Sequence, residues 1–367
     1  MEHRFGSAPL AIGVEEELLL VESAPPHDLD HRAGDVVARA GSPDVKPDVY
    51  EAMVEGASPV CATATDAAGE LARLRDAMRD AGATLAGAGL HPAAEFGEVV
   101  HVRTARYDEI HDSMRGLVER TPTCALHVHV GMPDPETAIA TFNRLRGHLP
   151  LLQALAAHSP FWYGRDSGFA TARAQLFRGF PSAVIPRAFA GWDDYCEAVA
   201  AWLAAGAMPD YTYLWWDIRP HPQLGTVEVR AMDAQSRLTS VAGLAELVHA
   251  LATACADGYG AVESAEALGE SSFRAGRDGL EATIWWAGTL RPLREIAAET
   301  LAVARPYARG EGLEEIERIL RDGNGADRMR RRHTTGGMGA VLADLVNASA
   351  RPLYGYTRTT VPMRTHS

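Results

Sequence analysis

Apolar residues recur in two spacings along the chain: alternation in short runs, and a three-to-four rhythm in longer ones. Residues 10–21 alternate, so that Ile12, Val14, Leu18 and Leu20 share one face and Glu15 and Glu17 share the other. The pattern predicts a strand with a core face and a carboxylate face. Residues 49–55 fit a second strand and residues 84–90 a third. Residues 123–131 alternate clearly, with Leu126, Val128 and Val130 opposed to His127 and His129. Residues 213–219 and 225–230 predict two more strands joined by a Pro-rich turn, the second with Val227 and Val229 opposed to Glu228 and Arg230.

The longer rhythm predicts helices. Asp66 caps one that runs to Asp80, with Leu71, Leu74 and Met78 on one side and Gly82 beyond its end. Others are expected over 107–120, from the Pro133-Asp134-Pro135-Glu136 start signal through Leu155, and over 192–205. From Thr239 onward the chain reads as mostly helical, interrupted at 264–283, at Gly323-Asn324-Gly325 and at Gly336-Gly337. Residues 22–47 hold Pro25, Pro26, Gly41 and Pro43 and read as loop with a short helix at 34–40. Residues 159–190 are rich in Gly, Pro, aromatics and arginine (Arg165, Arg173, Arg178, Arg187), the composition of a long functional loop. No repeat, low-complexity tract or linker divides the chain, so one domain over 1–367 is expected.

Composition narrows the functional classes. The 367 residues are 47% hydrophobic and 23% charged, which is ordinary for a globular protein, and the net charge of -13 argues against general nucleic-acid binding. The N-terminus lacks the apolar core of a secretory signal, and the longest nearly apolar run, taken as 198–208, is too short to span a membrane. The four cysteines are dispersed without a CxxC pair, as expected of reduced cytoplasmic thiols. An enzyme of this size commonly forms a homodimer.

The predicted strands repeat one device: an apolar face backed by a face of acids, imidazoles and arginine. Glu15, Glu17, Asp48, Glu55, His127, His129, Glu228 and Arg230 all belong to it. Gathered on one sheet, such a face needs cations, and oxygen-dominated ligation with imidazole points to Mg²⁺ or Mn²⁺, which usually meet substrate phosphates. Taken singly the signals are bland. Glu228 with Arg230 also describes a salt-bridged sheet face, and Arg328 to Arg332 reads as a solvated helix face. No GxxxxGK[ST] and no GxGxxG after a strand occurs, so any ATP is held by another cradle.

Four motifs in this order resemble the type 2 glutamate–cysteine ligase family and its bacterial carboxylate–amine ligase branch: Gly13-Val14-Glu15-Glu16-Glu17, Val54-Glu55 through Pro59, Leu126-His127-Val128-His129-Val130-Gly131, and Thr226-Val227-Glu228-Val229-Arg230. Phe161-Trp162 with Gly164-Arg165-Asp166, Arg173-Ala174-Gln175, Phe273-Arg274-Ala275 and Gly323-Asn324-Gly325-Ala326 are also similar to that branch. The resemblance implies an α+β fold, a glutamine-synthetase-like curved antiparallel sheet with helices packed on its outer face. It implies an ATP- and Mg²⁺-dependent ligase that phosphorylates a small carboxylic acid and joins it to an amine, either glutamate and cysteine or another pair. Glu17, Asp48 and Glu55 would hold metal near the acid, and Glu15, His127 and Glu228 metals on the ATP phosphates. Arg230 with Glu228 would act in catalysis, and His129, Arg165, Arg173, Arg230 and Arg274 would bind substrate or nucleotide. Asp48, Met53 and Asp278 stand where Glu, Gln and an aromatic residue are common in the branch.

The alternative from the residues alone is a zinc-dependent amidohydrolase that uses the His127-x-His129 strand. The number of accompanying acids weighs against it.

Overall fold

The structure is a computed structural model that describes residues 1–353; the last part of the expected 1–367 domain lies outside the described residues. The chain runs β1 (Ile12–Leu20), α1 (Ala33–Ala40), β2 (Val45–Pro47), β3 (Met53–Ala57), α2 (Ala64–Asp80), β4 (Leu85–Ala86), α3 (Ala105–Met114), β5 (Ala125–Gly131), α4 (Pro135–Leu145) and α5 (Leu149–Leu155). It continues through a hairpin of β6 (Phe161–Trp162) and β7 (Arg165–Asp166), then α6 (Ala172–Phe177), α7 (Trp192–Ala204), β8 (Ile218–His221) and β9 (Thr226–Asp233). The C-terminal part holds α8 (Leu238–Ala256), α9 (Ala265–Asp278), β10 (Thr283–Trp286), β11 (Thr289–Pro292), α10 (Leu293–Ala304), α11 (Gly312–Asp322) and α12 (Gly325–Ser349).

Seven strands form one antiparallel sheet in the order β2-β3-β1-β5-β9-β8, with β4 paired to the end of β1. Strand parity then sorts the side chains. On the outer face Ile12, Val14, Leu18 and Leu20 join Leu126, Val128, Val227 and Val229 in the main core, against Leu71, Leu74 and Met78 of α2 and Val241, Leu244 and Val248 of α8. The helices therefore cover one face of the sheet and leave the other for the acids.

Glu16 shares parity with the core residues and is fully buried. Arg75 of α2 meets it there, donating from Nε and Nη2 to the two carboxylate oxygens at 2.8 and 2.6 Å. The same guanidinium donates to the carbonyls of Gln235 and Ser236 at 2.8 and 2.7 Å. One arginine thus ties the central strand to α2 and to the turn that leaves β9.

Several expected boundaries move for local reasons. The second strand starts at Met53 because residues 49–51 pair with 100–102 instead, and Asp48 turns back to accept the Val49 N–H. Thr63, not Asp66, caps α2, accepting the Asp66 N–H. The helix expected through Leu155 breaks into α4 and α5 at a 3-10 turn before Pro150. The strand expected from Tyr213 starts only at Ile218, because Asp210 caps a 3-10 turn over Tyr211–Tyr213. The interruption expected at 264–283 is largely helix, since Ser264 caps α9. Arg328 is no solvated residue: it pairs with Asp344 and donates to Ser236 Oγ. The longest apolar stretch is α8, not 198–208; α8 has the length and composition to cross a membrane, and here it lies almost wholly inside the protein core.

The Glu16–Arg75 pair sets a stability prediction. Arg75→Ala leaves a fully buried carboxylate without its partner and should cost about 3–5 kcal/mol, read as a lower urea midpoint. A change within about 0.5 kcal/mol, the usual range for a surface substitution, would show that the pair does not hold the sheet to α2.

Candidate active site

The antiparallel register gathers the inner-face residues. Glu15 of β1 lies opposite His127 of β5, and Glu17 opposite Glu55 of β3. His129 lies between Gly13 and Glu228. A β-bulge gives β9 one extra residue at Arg230–Ala231, across from His127. Bulges re-aim side chains. This one keeps Arg230 on the inner face and returns Asp233 there as well, 3.7 Å from Arg173. Asp233 also accepts from Ser159 Oγ at 2.7 Å and Thr171 Oγ1 at 2.9 Å, which anchors the segment carrying Arg173.

A cavity of about 270 Å³ opens on this face, lined by Glu15, Glu17, Asp48, Glu55, His127, Arg173 and Arg230, with Arg106 and Tyr107 from α3 and Arg219 from β8. Two donor groups stand on this face: Glu17, Asp48, Glu55 and Glu15 line the cavity, whereas His129 lines a neighbouring hollow with Glu15 and Thr226. Glu17, Asp48 and Glu55 present ligand atoms within 4.8 Å of one another, and so do Glu15, His129 and Glu228. His127 lies between them, with Nδ1 3.4 Å from Glu15 and Nε2 3.7 Å from Glu17. His129 Nε2, 3.4 Å from Glu15 and 3.8 Å from Glu228, is buried without a hydrogen-bond partner among the described residues. Its Nδ1 is held by Thr226 Oγ1 at 3.0 Å. The resemblance gives the metal role to His127; the geometry offers His129 as a ligand too.

The two groups differ electrostatically. Burial alone would raise Glu228, but Arg219 and Arg230 on either side hold it well below the usual carboxylate range. Burial would raise Glu15 too, and His129 and His127 outweigh it, so Glu15 is also lowered. Burial holds His127 neutral, with a pKa lowered to about 4. In the other group the nearby cations do not outweigh burial. Burial, with Asp48 beside it, pushes Glu17 up to about 8, and burial with the neighbouring Glu15, Asp48 and Glu17 raises Glu55 strongly. Burial raises Asp48 as well. Three carboxylates that resist ionisation, beside an unpartnered imidazole nitrogen, fit a site completed by divalent cations.

Not every predicted residue arrives here. Arg165 is exposed on β7, and Arg274 is on α9 paired with Glu270, both away from the cavity wall. Arginine-rich composition does not say which way a side chain turns. Of the arginines in 165–187 only Arg173 lines the cavity; Arg178 pairs with Asp217 and Arg187 with Asp194. Met53 lines the cavity, whereas Asp278 pairs with Arg277 outside it. Arg219 and Arg106 were missed. Arg219 had a signal, since Ile218-Arg219-Pro220-His221 alternates and puts Arg219 opposite Glu228.

These shifts predict a pH dependence. An acid whose folded pKa is raised favours folding below the ordinary carboxylate range and loses that contribution as pH climbs through the folded value. For Glu17 the window runs from the ordinary range to about 8. A divalent cation binds the ionised form. The Tm gain on adding Mn²⁺ should therefore grow between pH 5.5 and 8, about the span between ordinary and raised carboxylates, and Glu55→Gln should remove most of that growth. A gain independent of pH would contradict the assignment.

The comparisons agree with this architecture. A Rubrobacter xylanophilus protein provisionally named glutamate–cysteine ligase 2-1 is 33% identical over 90% of this chain and 92% of its own length. A glutamate–cysteine ligase of Haloferax volcanii is 31% identical over 91% of this chain and 95% of its own. Among solved structures, a glutamate–cysteine ligase from Francisella tularensis in complex with AMP superposes with a TM-score of 0.72 at 13% identity, covering 93% of this chain and 88% of that one. The fold is the expected glutamine-synthetase-like one, a curved antiparallel sheet with helices on its outer face. Residues 11–344 match glutamate–cysteine ligase family 2, and the chain belongs to that family.

Proposed function

We propose that the protein is an ATP- and Mg²⁺-dependent carboxylate–amine ligase, with Mn²⁺ able to substitute, that activates its acid as an acyl phosphate and releases ADP. Family membership supports ligation of a carboxylate to an amine. The observation that carries the finer reading is the pair of acid-rich donor groups side by side on one sheet face, the first lining a cavity with Arg173, Arg219 and Arg230.

Glu17, Asp48 and Glu55 would hold a cation on the acid side. Glu15, His129 and Glu228, with His127 within reach, would hold cations on the phosphate side. Bound there, Mg²⁺ would neutralise the negative groups that must meet when a carboxylate attacks a γ-phosphoryl group. The chain's own residues do the positioning. Arg230 and Arg219 grip Glu228 from two sides and keep it ionised. The Nε atoms of Arg230 and Arg173 are buried without partners among the described residues, so each has a donor left for a phosphoryl or carboxylate oxygen. The apolar wall of Ile110, Val118, Phe177, Phe180 and Trp215 gives the unreactive part of a substrate a dry surface. No covalent nucleophile is required, because orientation and charge placement lower the barrier.

The amidohydrolase alternative needs two imidazoles on one ion. Here the set of ligand atoms within 4.8 Å of one another joins His129 to Glu15 and Glu228 and does not include His127.

Glutamate and cysteine, named by the relatives, are the first pair to test. With ATP, Mg²⁺ and the correct acid but no amine, hydroxylamine should trap a hydroxamate while ADP forms. Arg230→Ala should reduce trapping by roughly 10³-fold or more, and Arg230→Lys should also be poor because a point charge lacks the guanidinium fork. Formation of AMP and pyrophosphate would refute the acyl phosphate, and amide formation without nucleotide consumption would refute the ligase.

A further inference from the structure

A second cluster of metal-ligating side chains stands behind the cavity wall. Residues 100–102 pair with 49–51 through Glu51 N–H to Val100 O at 2.8 Å and Val102 N–H to Val49 O at 2.9 Å. The pairing fixes His101 beside Tyr50, with ring centroids 5.3 Å apart, and Tyr50 itself lines the cavity. α3 brings in His111, whose ring lies 4.7 Å from that of His101 and nearly perpendicular to it. The chain then turns through Arg115–Leu117 and returns Glu119 to both imidazoles.

Glu119 Oε1 is 3.2 Å from His101 Nε2 and 3.0 Å from His111 Nε2. Two rings thus direct the same nitrogen at one carboxylate oxygen. A tetrahedral ion with ligand bonds near 2.0–2.1 Å has donor–donor edges of about 3.3 Å, close to both separations. Asp112 Oδ1 lies 3.6 Å from His111 Nδ1, beyond hydrogen-bond distance. His111 and Glu119 are part-exposed, so an ion can enter from solvent and keep a water as fourth ligand. Two imidazoles and one carboxylate suit zinc, in contrast to the oxygen-rich groups on the inner face.

We propose that His101, His111 and Glu119 form a zinc site that pins the segment over residues 100–119 to the back of the cavity wall. The ion would join three points of that segment. Between them lie Arg106, Tyr107, Ile110 and Val118, all cavity-lining, and the Val118 carbonyl accepts from Tyr50 Oη at 3.0 Å. The ion would brace the segment through three protein ligands while keeping an open water position, and the inference stands whichever reaction the cavity performs.

Cobalt(II) is the probe, added to chelator-treated protein in excess Mg²⁺. One equivalent should give the intense visible absorption of a four-coordinate ion, and Zn²⁺ should displace it. The band should vanish in His111→Gln and Glu119→Gln and persist in His129→Gln. Zn²⁺ should raise the Tm of the unmodified protein and not that of His111→Gln. His111 is part-exposed, and Glu119→Gln preserves shape, so both variants should fold. Absence of the band, or a band lost with His129→Gln and kept in His111→Gln, would overturn the site and leave an ordinary hydrogen bond shared by two histidines.

Discussion

Three consecutive carboxylates on a central strand impose the constraint from which the rest of the structure follows. Alternation sends Glu16 to the helical side and Glu15 and Glu17 to the other. A buried charge must be paired or neutralised. The protein solves the two sides differently. Glu16 receives a permanent partner in Arg75, held by four hydrogen bonds to carboxylate and main-chain oxygens. Glu17 has no paired cation: beside it lie other acids, a neutral imidazole and the Ala125 N–H at 2.6 Å, and burial with Asp48 pushes it up to about 8. The outer ion pair is structural; the inner group is the one we propose a cation completes.

The inner face is also graded along its width. Glu228, between two arginines, stays ionised, whereas Glu17, Asp48 and Glu55 resist it. That asymmetry sets an ionised carboxylate beside chargeable ones on one sheet face. The bulge in β9 helps build it, since the extra residue lets Arg230 and Asp233 both serve the inner face. Rigid strands, rather than loops, place these groups, and a site that works by charge placement needs that precision.

Much of this was legible in the sequence, because strand parity is a strict rule. Once residues 10–21 and 123–131 read as strands, the common face of Glu15 with Glu17 and of His127 with His129 followed. The same parity assigns Glu16 to the core side, where Arg75 meets it. Other features left no local trace. Arg106 reaches the cavity because α3 packs over its mouth, which no periodicity announces. Arg165 and Arg274 were chosen from composition and motif, and each turns to solvent. The second strand slipped because residues 49–51 found partners fifty residues away, a tertiary preference that a short alternating segment cannot reveal. The histidines of 101 and 111 meet only after α3 has formed and the chain has turned back to Glu119.

The fate of the acid's own oxygen tests the account most directly. With ¹⁸O in the carboxylate, acyl-phosphate chemistry moves one labelled oxygen from the acid to inorganic phosphate for each amide formed, because the carboxylate oxygen bonded to phosphorus leaves with it. The account predicts that label in phosphate, with ADP as the nucleotide product. Label in AMP, or none transferred to any phosphorus, would contradict it.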